Sequence, residues 1–281
     1  MQPLSLEAPA KLNLSLAVLG RRPDGHHELA SRFVLLTLAD RLLLMPGCSG
    51  LRVSPSDPGV PVDASNLAWR GLVAGLGTEP ELACLALEKR IPVAAGLGGG
   101  SSDAAAAWRL GRRWSGAPEL PTEDELRELS GIGADVPFFA AQLGAANVSG
   151  IGERLEPCAV PATREVVLAV APFGLSTAAV FAELRPGDWS REASLGHNDL
   201  LAAARRLRPE LDDVFVVIAA AGGVPALTGS GPTVYALTDD PQRAAAIAAA
   251  VERAGLRAVR TRLADGPTRI ATTSEEEPSI Q

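Results

Sequence analysis

The sequence predicts an α+β fold. Residues 5–18 alternate roughly between apolar and polar side chains, and residues 31–45 are rich in Val, Leu and Thr, so strand-like segments precede any helical pattern. Further along the chain, helical and strand-like segments alternate only in part, which disfavours a regular doubly wound sheet. The 281 residues are 47% hydrophobic, which suffices for one large domain or two smaller ones.

The N-terminal segment is predicted to be mostly strand. Pro9 interrupts the alternation of the first run, and RRPDGHHEL at residues 21–29 is typical of a turn between two strands. A further turn at residues 39–40 is expected to split the next run into two strands. Residues 47–65, rich in Pro, Ser, Asp and Gly, predict a loop or hairpin.

Helices dominate the middle of the chain. Ser65 or Asn66 caps a predicted helix, and Thr122 with Glu125 forms the pattern of a capping box. A helix rich in small residues follows a glycine-rich segment, a composition suited to tight packing. The predicted elements are a helix at 66–76, a strand at 82–89, helices at 101–114 and 122–131, and a short helix or strand at 134–141.

The pattern changes near Gly150, where we place a domain boundary, giving domains at 1–150 and 151–267. The later elements are a strand at 166–170, helices at 177–184, 198–206, 210–222 and 240–254, a glycine turn entering a strand at 228–239, and a last strand at 258–263. The polar, acidic tail at 268–281 is expected to be disordered.

Composition excludes some classes of function. A net charge of −7 disfavours nucleic acid as a partner, because phosphate backbones require a basic surface. The sequence shows no leader-like segment and no apolar run of about 18 residues, so we expect a cytoplasmic protein that spans no membrane. Cys48, Cys84 and Cys158 are odd in number and lack metal spacing, so we expect neither a disulfide nor a zinc site.

The segment PVAAGLGGGSSDAAAA at residues 92–107, whose first part we call the glycine loop (residues 92–102), carries the clearest functional signal. It lacks the Lys-Ser/Thr pair of a Walker loop, and Ser101 replaces the last glycine of a dinucleotide fingerprint. Clustered glycines before a helix nevertheless turn several N–H groups toward one point, which favours phosphate binding over a plain structural turn.

Other positions are also candidates, each with a plainer alternative. Lys11 and Asn13 point to the same face of a strand, and only Lys11 and Lys89 are lysines in a chain whose other basic residues are arginine. Strand lysines are commonly solvated, however. Asp135 lies among apolar residues, where an aspartate is paired, functional or a helix cap. The pair at residues 26–27 is either an exposed turn or part of a site.

Together these segments resemble the motifs of the GHMP kinases. PAKLNLSL and LTGSGPTVYAL are similar to the first and last motifs, and Pro92, Gly96, Leu97, Ser101 and Ser102 match the central one. GRRPDGHHEL, GIGADVPFF and HNDL are similar to members that act on a cytidine diphosphate substrate, and the likeness runs from about residue 9 to residue 239. The resemblance implies a two-domain fold, with a ribosomal protein S5-like N-terminal domain and a ferredoxin-like C-terminal domain.

The resemblance also implies the chemistry. ATP, accompanied by Mg²⁺, would phosphorylate the 2-hydroxyl of the methylerythritol part of the substrate in the cleft between the domains. Asp135 would accept the hydroxyl proton, and Lys11 would steady the charge beside it. The implied ATP-binding residues are Asn66, Leu67, Lys89, Pro92, Gly96, Leu97, Gly98, Gly99, Gly100, Ser101 and Ser102. No Mg²⁺ ligand is assigned, Ser102 being only a candidate.

For the substrate, the resemblance implies that His27 reads the edge of the cytosine and that two rings stack on it. Asn13 would position the substrate, and Phe181, with Thr177 one turn before it, would be one of the rings. The other ring is commonly tyrosine in the family and is His26 here, which offers less stacking area. The alternatives are a GHMP kinase for mevalonate, homoserine or a sugar, or a nucleotide-binding protein without catalysis. Either a monomer or a homodimer is compatible with the sequence.

Overall fold

The computed structural model describes residues 2–55, 57–190, 192 and 194–272. Two sheets and eight α-helices account for most of them. The first sheet contains β1 (Leu4–Arg21), β2 (His27–Pro46), β3 (Gly50–Ser54), β4 (Ala83–Glu88), β5 (Ala145–Gly150), β6 (Arg154–Pro157) and β11 (Ala271–Thr272). Its strand order is β11-β1-β2-β4-β3, with β5 pairing with β2 and β6, and β3–β4 is its parallel pair.

Four helices belong to this first part of the chain: α1 (Leu67–Leu76), α2 (Gly99–Trp114), α3 (Glu123–Ser130) and α4 (Val136–Ala140). Asn66 caps α1, and Thr122 with Glu125 forms the predicted capping box of α3. A Cβ on Gly71 would overlap the carbonyl oxygen of Ala104, so the backbones of α1 and α2 are in direct contact there. The small residues of α2 therefore permit the tight packing that the sequence predicts.

The second sheet contains β7 (Glu165–Val170), β8 (Ala226–Leu227), β9 (Val234–Thr238) and β10 (Arg257–Arg262) in the antiparallel order β10-β7-β9-β8. Its helices are α5 (Thr177–Glu183), α6 (Leu200–Leu207), α7 (Leu211–Ala220) and α8 (Pro241–Arg253). Numbered within this sheet, the strand order is fourth, first, third, second, which is the predicted ferredoxin-like arrangement. The α+β prediction is thus confirmed.

Two predicted breaks in the first sheet are wrong. β1 continues through Pro9, where the register with β2 shifts and the Lys11 N–H donates to the Leu97 carbonyl (2.9 Å). β2 also continues through residues 39–40, because Asp40 is fully buried and bonded rather than exposed in a turn. Here β2 changes its neighbouring strand instead: it pairs with β5 at residues 29–34 and with β4 at residues 41–46.

The predicted ends of the two halves also need correction. The first sheet extends beyond Gly150 to the end of β6, so the chain passes to the second sheet between residues 158 and 164. Residues 268–272 are ordered, because Thr268 donates to the Glu7 carbonyl (2.6 Å) and β11 pairs with β1. The rest of the predicted disordered tail lies outside the described residues. The division into two domains stays a prediction.

A disulfide joins Cys48 to Cys84, contrary to the sequence-based expectation. The parallel pairing of β3 with β4 sets Gly50 opposite Cys84, and this brings Cys48 beside it with a Cα–Cα distance of 5.2 Å. The 36-residue separation hides the contact from sequence spacing. Cys158 is free and half-buried. Among the described residues, no helix combines the length and apolar character needed to span a membrane.

Candidate active site

A cavity of about 880 Å³ lies between the glycine loop and the glycine turn at residues 228–231. Strands β1 and β2, the start of α4 and helix α5 complete its walls. All the predicted site residues line it except Ser102, a residue that is 1% exposed. The two implied ends of the site, for ATP and for the substrate, therefore belong to one continuous space.

The glycine loop adopts a conformation that requires glycine. Gly96 and Gly98 have φ values of +75° and +72°, and Gly98 is the N-cap of α2 without a side-chain cap. The first-turn N–H groups of α2 are therefore left for a ligand. A Cβ on Gly96 would lie 2.8 Å from the carbonyl oxygens of Thr228 and Gly231, so the loop packs directly on the glycine turn. The arrangement suits the oxygens of a phosphate group.

The two serines of the loop differ. Ser101 lines the cavity, whereas Ser102 points into the protein, where its hydroxyl is buried without a hydrogen-bond partner among the described residues. The Ser102 N–H makes a helical bond to the Gly98 carbonyl (2.9 Å). Ser101 is thus the serine that presents a hydroxyl beside the phosphate position.

The Lys11 side chain lies against the glycine loop, beside Gly98. Its ammonium donates to Asn13 Oδ1 (2.6 Å), lies 3.3 Å from Asp135 Oδ2 and stands 4.8 Å from the centre of the Phe33 ring. A Cβ on Gly98 would come within 3.0 Å of Lys11 Cγ, so the loop has room for this side chain because it lacks one there. The alternative of a solvated strand lysine is excluded, since Lys11 is 4% exposed.

Asp135 occupies the N-cap position of α4 but does not cap the helix. Its side chain makes no cap hydrogen bond, and Pro137 within the first turn removes one of the N–H groups that a cap would serve. The carboxylate instead faces Lys11 and the cavity, with 27% of the side chain exposed. It is therefore accessible to a bound molecule, unlike a structural carboxylate.

Asn13 connects the two sheets at the site. Its N–H donates to Thr228 Oγ1 (3.1 Å), its side-chain amide donates to Ser31 Oγ (2.9 Å), and its carbonyl accepts from the Tyr235 hydroxyl (3.1 Å). Burial raises the pKa of Tyr235, so this phenol stays protonated and remains a donor. The orientation of Asn13, and through it of Lys11, thus depends on residues from both halves of the chain.

The HNDL segment supports the glycine turn from behind. Asn198 donates from its side-chain amide to the carbonyls of Leu227 (2.9 Å) and Gly229 (2.8 Å). Asp199 accepts from the Val18 N–H (2.7 Å), which ties the segment to β1. None of the HNDL side chains except Leu200 lines the cavity, so the motif positions the site and does not form its surface.

A cluster of three rings, from His27, Phe181 and Trp189, lines the same cavity. His27 stacks on Phe181 with ring centres 5.3 Å apart, and the Trp189 ring lies at 82° to His27 with ring centres 6.1 Å apart. Burial, assisted by the charges of Arg21 and His26, lowers the pKa of His27, so its imidazole is neutral at pH 7 and offers one donor and one acceptor. His26 points outward, with 64% of its side chain exposed and Nδ1 3.4 Å from Asp24 Oδ1.

Lys89 lies in a closed charge cluster with Asp40 and Asp103. Its ammonium contacts the Asp40 carboxylate and lies 2.7 Å from Asp103 Oδ2, while Asp40 also accepts from the N–H of Ile91 (2.8 Å). Burial opposes the charge of Lys89, but the two carboxylates outweigh it and raise its pKa. Burial raises the pKa of Asp103 to about 8. Lys89 lines the cavity, and its ammonium contacts both carboxylates.

The remaining predicted residues form walls. Asn66 accepts from the Ala68 N–H (2.8 Å) and donates to the Pro61 carbonyl (2.6 Å), so its amide is engaged in local structure. Thr177 shares a hydrogen bond with Ser230 (2.9 Å), which links α5 to the glycine turn. Sequence reasoning missed Arg21 and Trp189, which also line the cavity. Arg21 sits within the GRRPDGHHEL segment, a signal that was available, whereas Trp189 lies in no motif.

Comparison with known proteins gives concordant results. The family description "GHMP kinases N terminal domain" matches residues 66–143, and "GHMP kinases C terminal" matches residues 178–257. A Nocardia farcinica protein named 4-diphosphocytidyl-2-C-methyl-D-erythritol kinase is 40% identical over 302 aligned positions, covering 94% of each chain. A Streptomyces coelicolor protein of the same name is 39% identical, covering 92% of this chain and 95% of that one.

Solved structures agree with these relatives. A crystal structure of 4-(cytidine 5'-diphospho)-2C-methyl-D-erythritol kinase superimposes with a TM-score of 0.77 at 35% identity, covering 92% of this chain and 98% of the other. The homoserine kinase of Cytophaga hutchinsonii superimposes with a TM-score of 0.66 at 16% identity, covering 96% and 98%. The second likeness concerns the fold alone.

Proposed function

The chain belongs to the GHMP kinases, a family of ATP-dependent kinases, and from this membership we propose that it phosphorylates the 2-hydroxyl of 4-diphosphocytidyl-2-C-methyl-D-erythritol with ATP. The reaction serves isoprenoid precursor synthesis by the non-mevalonate route, and we place it in the cytoplasm. One observation carries the proposal: a single cavity joins the glycine loop, the Lys11–Asp135 pair and the ring cluster around His27.

The glycine loop holds the phosphates of ATP. The left-handed backbone at Gly96 and Gly98 and the uncapped N-terminus of α2 direct N–H groups at the anion, and the helix dipole adds to the attraction. Mg²⁺ accompanying ATP would neutralise part of the charge of these phosphates. Among the described residues, no three His, Cys, Asp or Glu side chains form a cluster fit for a metal ion.

Asp135 acts as the base and Lys11 as its partner. The partly exposed carboxylate of Asp135 accepts the proton of the attacking hydroxyl. The Lys11 ammonium, 3.3 Å away, stabilises the charge that develops as the bond to phosphorus forms. Asn13 fixes Lys11 through a 2.6 Å hydrogen bond. Since phosphoryl transfer depends mostly on positioning and electrostatics, this small set of groups is sufficient.

The ring cluster recognises the cytosine. A neutral His27 has the donor and acceptor that the edge of a cytosine requires, and Phe181 offers a face for stacking. Mevalonate and homoserine carry no base, so a kinase for either would have no use for these rings.

A coupled assay of ADP release with three acceptors tests the proposal. We expect turnover with 4-diphosphocytidyl-2-C-methyl-D-erythritol and none above background with mevalonate or homoserine at equal concentration. Turnover of mevalonate or homoserine, with none of the cytidine compound, would overturn the proposal. Phosphorus NMR of the product would distinguish a new phosphate ester from uncoupled ATP hydrolysis.

A further inference from the structure

The closed charge cluster of Asp40, Lys89 and Asp103 contacts the chain on both sides of the glycine loop. Asp40 Oδ1 accepts from the N–H groups of Arg90 and Ile91, the residues that lead directly into the loop. Asp103 is the first residue after the loop, and its Oδ2 lies 2.7 Å from the Lys89 ammonium. Because Lys89 also contacts Asp40, a continuous series of polar contacts joins the beginning of the loop to its end.

The cluster also packs against the loop itself. A Cβ on Gly99 would lie 3.4 Å from Lys89 Nζ and 3.1 Å from Ile91 Cγ2, so the first residue of α2 is in close contact with these two side chains. The N–H groups of the first helical turn are the ones that lack helical partners and that a phosphate oxygen would accept. A displacement of the Lys89 ammonium would therefore move the backbone that presents these donors.

The composition of the loop explains why it needs such support. Four of its eleven residues are glycine, which gives the free backbone more conformational freedom than other residues would. The glycine turn contacts the middle of the loop at Gly96, and Lys11 contacts it at Gly98, while the cluster restrains both ends. A loop held in this way loses little conformational entropy when it binds a phosphate, because its donors are already oriented.

The charges of the cluster are compatible with an anion nearby. Burial raises the pKa of Asp103 to about 8, so this side chain is mostly protonated at pH 7. The cluster then contains one carboxylate, that of Asp40, and one ammonium, that of Lys89. It therefore adds no net negative charge beside the position of the phosphates.

We propose that Asp40 and Asp103 are positioning residues for ATP, which act with Lys89 to hold the two ends of the glycine loop in the conformation that binds the phosphates. Asp40 fixes the segment that enters the loop, Asp103 fixes the helix that leaves it, and Lys89 joins the two. This inference rests on the proposed function in one respect, namely that the loop holds the phosphates of ATP. It does not depend on the identity of the acceptor.

Calorimetric titration of the full chain with ATP and with adenosine tests the inference, since adenosine carries no phosphate. Lys89→Met should weaken ATP binding by about tenfold, the effect of losing one hydrogen bond to a charged group, and should leave adenosine binding unchanged. Asp103→Leu, which is close to aspartate in size but has no oxygen, should do the same. Asp103→Asn keeps an uncharged oxygen for the Lys89 ammonium and should retain most of the wild-type affinity for ATP.

Arg109→Met is the matched control. Arg109 is a similarly buried cation on α2, it pairs with Glu119 at 3.3 Å, and neither of these residues lines the cavity. The control should lower the melting temperature but leave the affinity for ATP unchanged at a temperature where the protein is folded. In Lys89→Met, but not in the control, amide hydrogen exchange should become faster in residues 92–102.

Steady-state kinetics supply an independent readout. In Lys89→Met and Asp103→Leu the KM for ATP should rise, while kcat at saturating ATP and the KM for the acceptor stay close to the wild-type values. A purely structural role would lower the amount of active enzyme and leave both KM values unchanged.

The outcomes separate the inference from the proposed function. Equal losses of ATP affinity in Lys89→Met and Arg109→Met would show a general effect of destabilisation and would overturn the inference. Unchanged ATP affinity in Asp103→Leu, or equal losses for ATP and adenosine, would also overturn it, and Asp103→Leu decides the matter if Lys89→Met does not fold. If the wild-type protein binds ATP but does not phosphorylate the cytidine compound, the proposed function fails and the titrations still test the inference.

Discussion

The two lysines of the chain lie in walls of the same cavity but in opposite surroundings. Lys11 faces one carboxylate, that of Asp135, whose side chain is 27% exposed. Lys89 is enclosed by Asp40 and Asp103, whose side chains are 0% and 4% exposed. The partly exposed Asp135 carboxylate can contact a substrate. In the buried cluster, moving a carboxylate away would leave the Lys89 charge buried without a partner. The scarcity of lysine thus marks positions that need an ammonium, but it does not distinguish a catalytic lysine from one that stabilises the fold.

The largest effect is expected from Asp135→Asn, which removes the proposed base and keeps its shape. We expect kcat to fall by about 10³-fold, within the range for loss of a general base, with the melting temperature and ATP affinity nearly unchanged. Single-turnover kinetics and ATP binding by calorimetry check both parts. Turnover close to that of the wild type would remove Asp135 from the catalytic role.

Lys11→Met tests the open pair from the other side. Losing the ammonium should lower kcat by about 10²-fold or more, because the charge that develops on the transferring group is then left without its partner. Stability should change little, since Asp135 remains partly exposed to water and is not stranded. A large fall in melting temperature with normal kcat in the folded protein would contradict the assignment.

Lys89→Met is the matched change in the closed cluster and should give the reverse result. The fully buried Asp40 carboxylate would remain without its cation, so we expect a loss of about 3–5 kcal/mol in the free energy of unfolding. Urea denaturation measures this loss, and the kcat of the folded variant should stay within a few-fold of the wild type. If Lys89→Met lowers kcat as strongly as Lys11→Met, the distinction between the two lysines is wrong.

The last effect concerns pH and Asp103. Because burial raises its pKa from 3.8 to about 8, the folded protein keeps a proton that the unfolded chain releases between these values. Stability should therefore decrease as pH rises from about 4 to about 8 and level off above that. In Asp103→Asn this contribution is absent, so the wild-type melting temperature should fall by about 7 °C relative to the variant between pH 5 and about 8. Parallel melting profiles would show that Asp103 is ionised throughout.

The sequence predicted the fold where the signals are local. The caps at Asn66 and Thr122 and the small-residue helix after the glycine loop all appear as expected. The failures concern pairs distant in sequence: Asp40 resembles a turn residue until Lys89 is placed beside it, and Cys48 meets Cys84 only through the β3–β4 pairing. Strand partners decide both cases, and spacing along the chain does not reveal them.

Prediction of the candidate site followed the same rule. Residues in contiguous motifs, such as Lys11 with Asn13 or His27, were found because their types and spacing carry the chemistry. Trp189 has no such context, and only the turn anchored by Arg206 brings it to the cavity. The lack of a cap hydrogen bond at Asp135 also depends on the geometry of a five-residue helix, which sequence patterns do not resolve.

The bonds of Asn13 bear on how the protein matures. Its N–H meets the hydroxyl of Thr228, 215 residues later, and its carbonyl meets Tyr235, so the partners that orient it are synthesised last. During translation β1 emerges first, and most of the chain is synthesised before those partners leave the ribosome. A prematurely terminated product that ends before β8 would keep the glycine loop and Lys11, but it would lack the groups that hold Asn13. It would also lack the glycine turn on which the glycine loop packs, so neither the loop nor Asn13 would be held in place.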